Sequence, residues 1–185
     1  MKAREKILDA AYELFSQRGI QAVGIDLIVQ RADVARMSLY RNFDSKEDLV
    51  IAFLKRREEL WLRDWLQAEV ERRSVDPRER LLAVFDVFDQ WFRRAEFEGC
   101  SFINILLETA HSDDHITRAS ISHLAEIRKW LESLAAAAGV RDANTFARKW
   151  HILMKGAIIA AAEGDLEAAR LAQELGAALL RSEAD

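Results

Sequence analysis

An all-α fold is predicted from three observations. The 185-residue chain holds one proline and seven glycines, too few turn residues for a sandwich or barrel, and Ala and Leu are abundant. Apolar residues recur at intervals of three and four along most of the chain, the spacing of one helix face. Polar residues that suit helix starts stand ahead of those patterns. Half of the residues are apolar and 31% are charged, the composition of a globular protein with a sizeable core. About nine helices are expected, with no strand, repeat or low-complexity linker.

The first helix runs from about Arg4 to Arg18, with Ile7, Leu8, Ala11, Leu14 and Phe15 on one face and Gly19 placed for a left-handed C-terminal cap. A shorter pattern covers Asp26 to Arg31, turning Leu27, Ile28 and Ala32 inward. A third short helix runs from Val34 or Ala35 to Tyr40, with Asp33 available to cap it and also tolerant of a left-handed turn. Ser45-Lys46-Glu47-Asp48 is a capping-box pattern that opens a long helix to about Arg72. Asp76-Pro77-Arg78-Glu79 starts the next, ending at Arg94. Further helices are expected over Phe102–His111, from the Ser112-Asp113-Asp114 turn to Gly139, from Asp142 or Asn144 to Gly164, and from Asp165 onward. The boundary between a first domain, residues 1–46, and a second, residues 47–185, falls at a helix start. A rigid junction is therefore expected in place of a tether.

Cys100 is the one cysteine, so no internal disulfide is possible and a reducing compartment, the cytoplasm, is expected. No charge-free apolar run approaches the ~18 residues of a membrane span; the most apolar stretch, Trp150 to Ala162, contains Lys155. The net charge is −4. Residues 1–46 carry 8 Lys/Arg and 6 Asp/Glu, and the rest carries a net −6. Any contact with a polyanion is thus local to the first quarter of the chain.

Three short helices in 45 residues, the third brief and polar, is a helix-turn-helix arrangement. A helix that short has no independent stability, so Val34, Leu39 and Phe43 are expected to anchor it. Arg36, Met37, Ser38, Arg41 and Asn42 are left for its outer face. Arg can bond guanine through two donors, Asn can bond adenine, and Ser can reach base or phosphate. Lys46 sits in the first turn of a helix, where the dipole disfavours a cation; a facing DNA phosphate would explain it.

Residues 7–49 resemble the DNA-binding domain of the TetR family of transcriptional regulators. The matching residues are Ile7-Leu8-Asp9-Ala10-Ala11, Leu14-Phe15, Gly19, Ile28, Ala32, Val34, Leu39-Tyr40-Arg41-Asn42-Phe43, Ser45-Lys46-Glu47 and Leu49. Departures are Gly24, where the family has Thr or Ser; Asp33-Val34-Ala35, where it has Gly-Val-Ser; and Met37 in place of a common Gly. Asp26 and Asp33 are anions near the expected path of the DNA backbone. The resemblance implies a homodimer on a double-stranded, roughly palindromic operator. Gly24, Tyr40 and Lys46 would position the backbone, and Arg36, Met37, Ser38, Arg41 and Asn42 would read bases. It further implies a repressor released by a small effector in the second domain. The alternative is a helical interaction module without DNA binding.

The second domain is crowded with aromatic residues, each by itself more often core than pocket. Trp65, Phe88, Phe102 and Trp130 are carried as candidate ligand contacts, and they suggest an apolar or aromatic effector. Asn104, Glu108 and His111 form a polar stripe beside Leu107 on one helix, which reads equally well as a pocket wall or an exposed edge. His151 and Lys155, four residues apart, are the other ligand candidates. His111 and His115 have metal-ligand spacing, but the intervening turn breaks the shared face, so no metal and no cofactor is expected. No phosphate-binding glycine loop or nucleophile elbow occurs, and no enzyme activity is expected. The helix from Asn144 is apolar nearly all round with small Gly156, Ala157, Ala160 and Ala161, and the last helix carries Leu171, Leu175 and Leu179. Two such C-terminal pairs would make a four-helix dimer interface.

Overall fold

The computed structural model describes residues 2–109 and 115–183. Their regular structure is entirely helical: α1 (Ala3–Arg18), α2 (Ile25–Ala32), α3 (Arg36–Tyr40), α4 (Lys46–Arg57), a π-helix (Glu58–Gln67), α5 (Ala68–Arg73), α6 (Pro77–Phe92), α7 (Ser101–Glu108), α8 (His115–Ala137), α9 (Ala143–Ala162) and α10 (Ala168–Ser182). α4, the π-helix and α5 follow one another without a break. Taken as one, they leave nine helices among the described residues.

The chain forms two compact units. One comprises Met1–Glu59 with Cys100–His123, the other Leu60–Gly99 with Leu124–Asp185. The first unit does not stop at residue 46 because α4 belongs to its core. Leu49, Val50, Phe53 and Leu54 are buried there with Ile7, Ala11, Leu14 and Phe15 of α1. Tyr12 and Phe15 meet the Phe53 ring edge-on at 5.5 and 5.6 Å, a favoured aromatic geometry. α7 and the start of α8 are joined by the Thr117 hydroxyl, which donates to the Thr109 carbonyl at 3.2 Å.

In the second unit α10 packs on α6 and α9. Phe85, Phe88, Phe146 and Trp150 are fully buried. Phe146 and Trp150, one turn apart on α9, stack at 5.2 Å. Gly176 of α10 lies against that stack; a Cβ there would be 2.7 Å from Trp150 and 3.2 Å from Phe85. The Gly176→Ala variant is expected to lose about 1–3 kcal/mol of stability, the usual cost of overpacking, seen as a lower denaturation midpoint.

The caps explain most helix starts. Ser45 accepts the Asp48 N–H at 3.0 Å. Asp76 accepts from Arg78 and Glu79 at 2.7 and 3.1 Å, with Pro77 in the first turn. Asp142, not Asn144, caps α9 through the Thr145 N–H at 3.0 Å. Of the two roles open to Asp33 it takes the left-handed turn, φ 51°, that ends α2; it does not cap α3, which begins after an uncapped Ala35. Two further points differ from expectation. Asp165 turns the chain by accepting the Glu167 N–H at 2.9 Å, and α10 starts only at Ala168. Ten residues of the long helix are π-helical; within them Trp61 and Trp65 both meet Trp91, at 5.4 and 5.7 Å. The Ser112-Asp113-Asp114 turn lies outside the described residues.

Candidate nucleic-acid interface

The site is built from α2, the left-handed turn at Asp33 and α3. Leu39 has no exposed surface and Phe43 is buried, while Val34 is half-buried. These anchors fix which side of a five-residue helix faces out. The outer side carries Arg36, Met37, Tyr40 and Arg41, all exposed. Ser38 is half-buried. Asn42 is half-buried too, and is turned back so that its side-chain amide donates to the Ser38 carbonyl at 2.7 Å. It caps the end of α3 and does not stand on the outer face where sequence reasoning put it. Gly24, exposed, opens α2; nothing lies within 4 Å of where a Cβ would be, so the residue is not a steric requirement of the fold.

Arg36 is the organised cation of this surface. Its guanidinium donates to Asp26 of α2 at 3.0 Å and lies 5.9 Å above the Tyr40 ring. The Tyr40 hydroxyl first, and then the Asp26 charge, hold it still further above the usual arginine range. Asp26, expected only to repel DNA, thus orients the guanidinium. Lys46 is a second departure. It is half-buried, and its ammonium donates to the Ile20 carbonyl at 2.6 Å. Desolvation lowers its pKa, against the opposing influence of the Glu108 carboxylate.

The ligand candidates divide between the two compact units. Trp65, Phe88, Trp130, His151 and Lys155 fall in the second, and Phe102, Asn104, Leu107 and Glu108 in the first; His111 lies outside the described residues. Phe88 is wholly buried among Trp61, Phe85, Trp91 and Phe92. Trp65 is half-buried, with the Arg94 guanidinium 5.3 Å above its ring. Phe102 is buried and stacks on His123 at 5.3 Å; His123 in turn pairs closely with Glu58. Asn104, Leu107 and Glu108 are exposed, though the Glu108 carboxylate is engaged by the Gln21 N–H. Trp130 and Lys155 are half-buried.

His151 is buried with its Nδ1 lacking a partner among the described residues. Desolvation, then the Lys155 and Arg128 charges, push its pKa down to about 3 from the ordinary 6.5. The folded state therefore keeps it neutral while the unfolded chain takes up a proton. Stability from this group is intact above pH 6.5 and is lost as the pH falls from there towards 3, by up to about 1.4 kcal/mol per pH unit. The difference between the wild-type and His151→Leu stability curves should grow over that window.

One constellation escaped sequence reasoning. Glu108 accepts the Gln21 backbone N–H at 3.0 Å across 87 residues of sequence. No motif links the two positions; only the long-range packing of the first unit does. No helix among the described residues is long and apolar enough to cross a membrane.

Residues 7–53 match the family described as bacterial regulatory proteins, tetR family. The HTH-type transcriptional activator FasR of Mycolicibacterium smegmatis is 39% identical over 85 residues, 46% of this chain and 38% of its own length. The HTH-type transcriptional repressor KstR of Rhodococcus jostii is 45% identical over 53 residues, 29% of this chain and 25% of its own. The chain thus matches well under half the length of these relatives. Among solved structures, SCO4454, a TetR-family transcriptional regulator from Streptomyces coelicolor, superimposes with a TM-score of 0.87 at 28% identity, covering 100% of this chain and 91% of that one.

Proposed function

Because the chain belongs to the TetR family of bacterial regulatory proteins, we propose that it is a homodimeric transcription regulator that represses from a palindromic DNA operator and lets go when a small effector binds its second domain. The observation that carries the DNA-binding part is the outer side of α3. A five-residue helix is held by Leu39 and Phe43 so that Arg36, Met37, Tyr40 and Arg41 all face out. That is the arrangement of a recognition helix seated in a major groove. Arg36 is assigned to guanine, Met37 to an apolar base edge, and Tyr40 to the phosphate backbone, with Arg41 and Ser38 beside them.

The pairing of two copies is supported by a row of exposed apolar residues on the C-terminal helices. On α9 they are Ile152 and Ile159, on either side of exposed Gly156; on α10 they are Leu171 and Leu175. Exposed apolar rows of this kind on adjacent helices suit a protein interface. A dimer carries two reading heads and so calls for a two-fold site. The effector is assigned an apolar or aromatic character from Trp65 and its aromatic neighbours. It would act only through a difference in affinity for the operator-bound and free conformations. Repression is chosen over activation from the family resemblance; the relatives include both a repressor, KstR, and an activator, FasR.

The test is selection of duplexes from a random library by the full chain, followed by titration over a range of salt. A saturable complex on a palindromic sequence, two chains per duplex, bears the proposal out. The absence of any saturable complex at low salt would leave the chain a helical interaction module.

A further inference from the structure

The turn between α1 and α2 is gripped by a residue far away in sequence. Glu108, the last residue of α7, accepts the Gln21 N–H at 3.0 Å. Its carboxylate lies so close to Gly19 that a Cβ there would come within 2.5 Å of Oε1. Gly19 also has φ 74°, so the backbone conformation calls for glycine. One residue on, the Ile20 carbonyl receives the Lys46 ammonium at 2.6 Å. Glu108 and Lys46 thus grip neighbouring residues of one turn, and the Glu108 charge acts on the ammonium without forming an ion pair with it. All five residues belong to the same compact unit.

Lys46 opens α4, where the helix dipole makes a cation unfavourable. An ammonium there is expected to reach out for an anion, and on a DNA-reading head the anion at hand is a phosphate. Here it is folded inward, onto a carbonyl oxygen and towards a carboxylate. We propose that Glu108 is a positioning residue that keeps Lys46 folded back on residues 19–21 and so withholds one cation per head from the DNA backbone. This rests on the DNA-binding reading above. It ties the end of α7, a helix outside the reading head, to the number of phosphates the head can neutralise.

The test is Glu108→Gln, which keeps an acceptor for the Gln21 N–H but removes the charge. Without DNA, the Lys46 amine of the variant should be acylated faster than that of the wild type by an acid-anhydride reagent. On the duplex selected by the wild type, the variant should bind severalfold tighter, with a salt dependence steeper by about one unit per head. Both gains should vanish when Lys46→Gln is added. Unchanged Lys46 reactivity overturns the proposal, and so does raised reactivity with an unchanged salt slope. If the wild type binds no duplex, the DNA-binding reading fails, while the acylation rates still decide whether Glu108 holds Lys46.

Discussion

The Arg36→Ala variant is expected to bind the selected duplex about tenfold to a hundredfold more weakly per head, and to lose base preference at one position of each half-site. Arg36 combines exposure with a fixed direction: Asp26 holds one end of its guanidinium at 3.0 Å and the Tyr40 ring lies beneath. A guanidinium held in place before binding loses less freedom when it meets a base edge. The ion pair itself is exposed and adds little to stability, so the denaturation midpoint should stay where it was. A binding isotherm and an unfolding curve on the same preparation separate the two effects. Loss of affinity spread evenly over all sequences would instead make Arg36 a phosphate contact.

Leu39→Ala should have the largest effect on the reading head as a structure. Leu39 is fully buried and is the one buried residue of α3. Truncating a buried leucine costs about 2–5 kcal/mol, a large fraction of a domain's stability. The loss falls on a helix too short to persist without its anchor. Denaturant unfolding should show a lowered midpoint. Duplex binding should fall further than the unfolded fraction accounts for, because chains that remain folded no longer present Arg36 and Met37 in register. Binding that tracks the folded fraction alone would mean the outer side of α3 is not what meets the duplex.

The fold was legible because its signals are local. Ser45, Asp76 with Pro77, and Asp142 announce their helices by side chains that bond the next turn, and the three-and-four spacing marks Ile7, Leu14 and Phe53 as core. The outward set on α3 was legible for the same reason, since fixing Leu39 and Phe43 inside fixes Arg36, Met37 and Tyr40 outside. That Asn42 and Lys46 each bond a backbone carbonyl, Ser38 in one case and Ile20 in the other, is not legible in the sequence, because such acceptors leave no trace in residue type. Asp26 was misjudged because its partner, Arg36, is ten residues away across a turn. The grip of Glu108 on Gln21 depends on the path of the chain between them. The π-helical stretch that carries Trp61 and Trp65 has no compositional signature either.

The most direct measurement places a photo-crosslinking side chain at position 37 and, in a second variant, at position 175. Met37 is 63% exposed on α3 and Leu175 is 59% exposed on α10, so within one chain neither probe is buried. Irradiation with the selected duplex should join position 37 to bases of the half-site, and position 175 to a second copy of the chain and not to DNA. A position 37 that gives no duplex adduct, or a position 175 that gives as much of it, would contradict the assignment of α3 as the element that enters the groove.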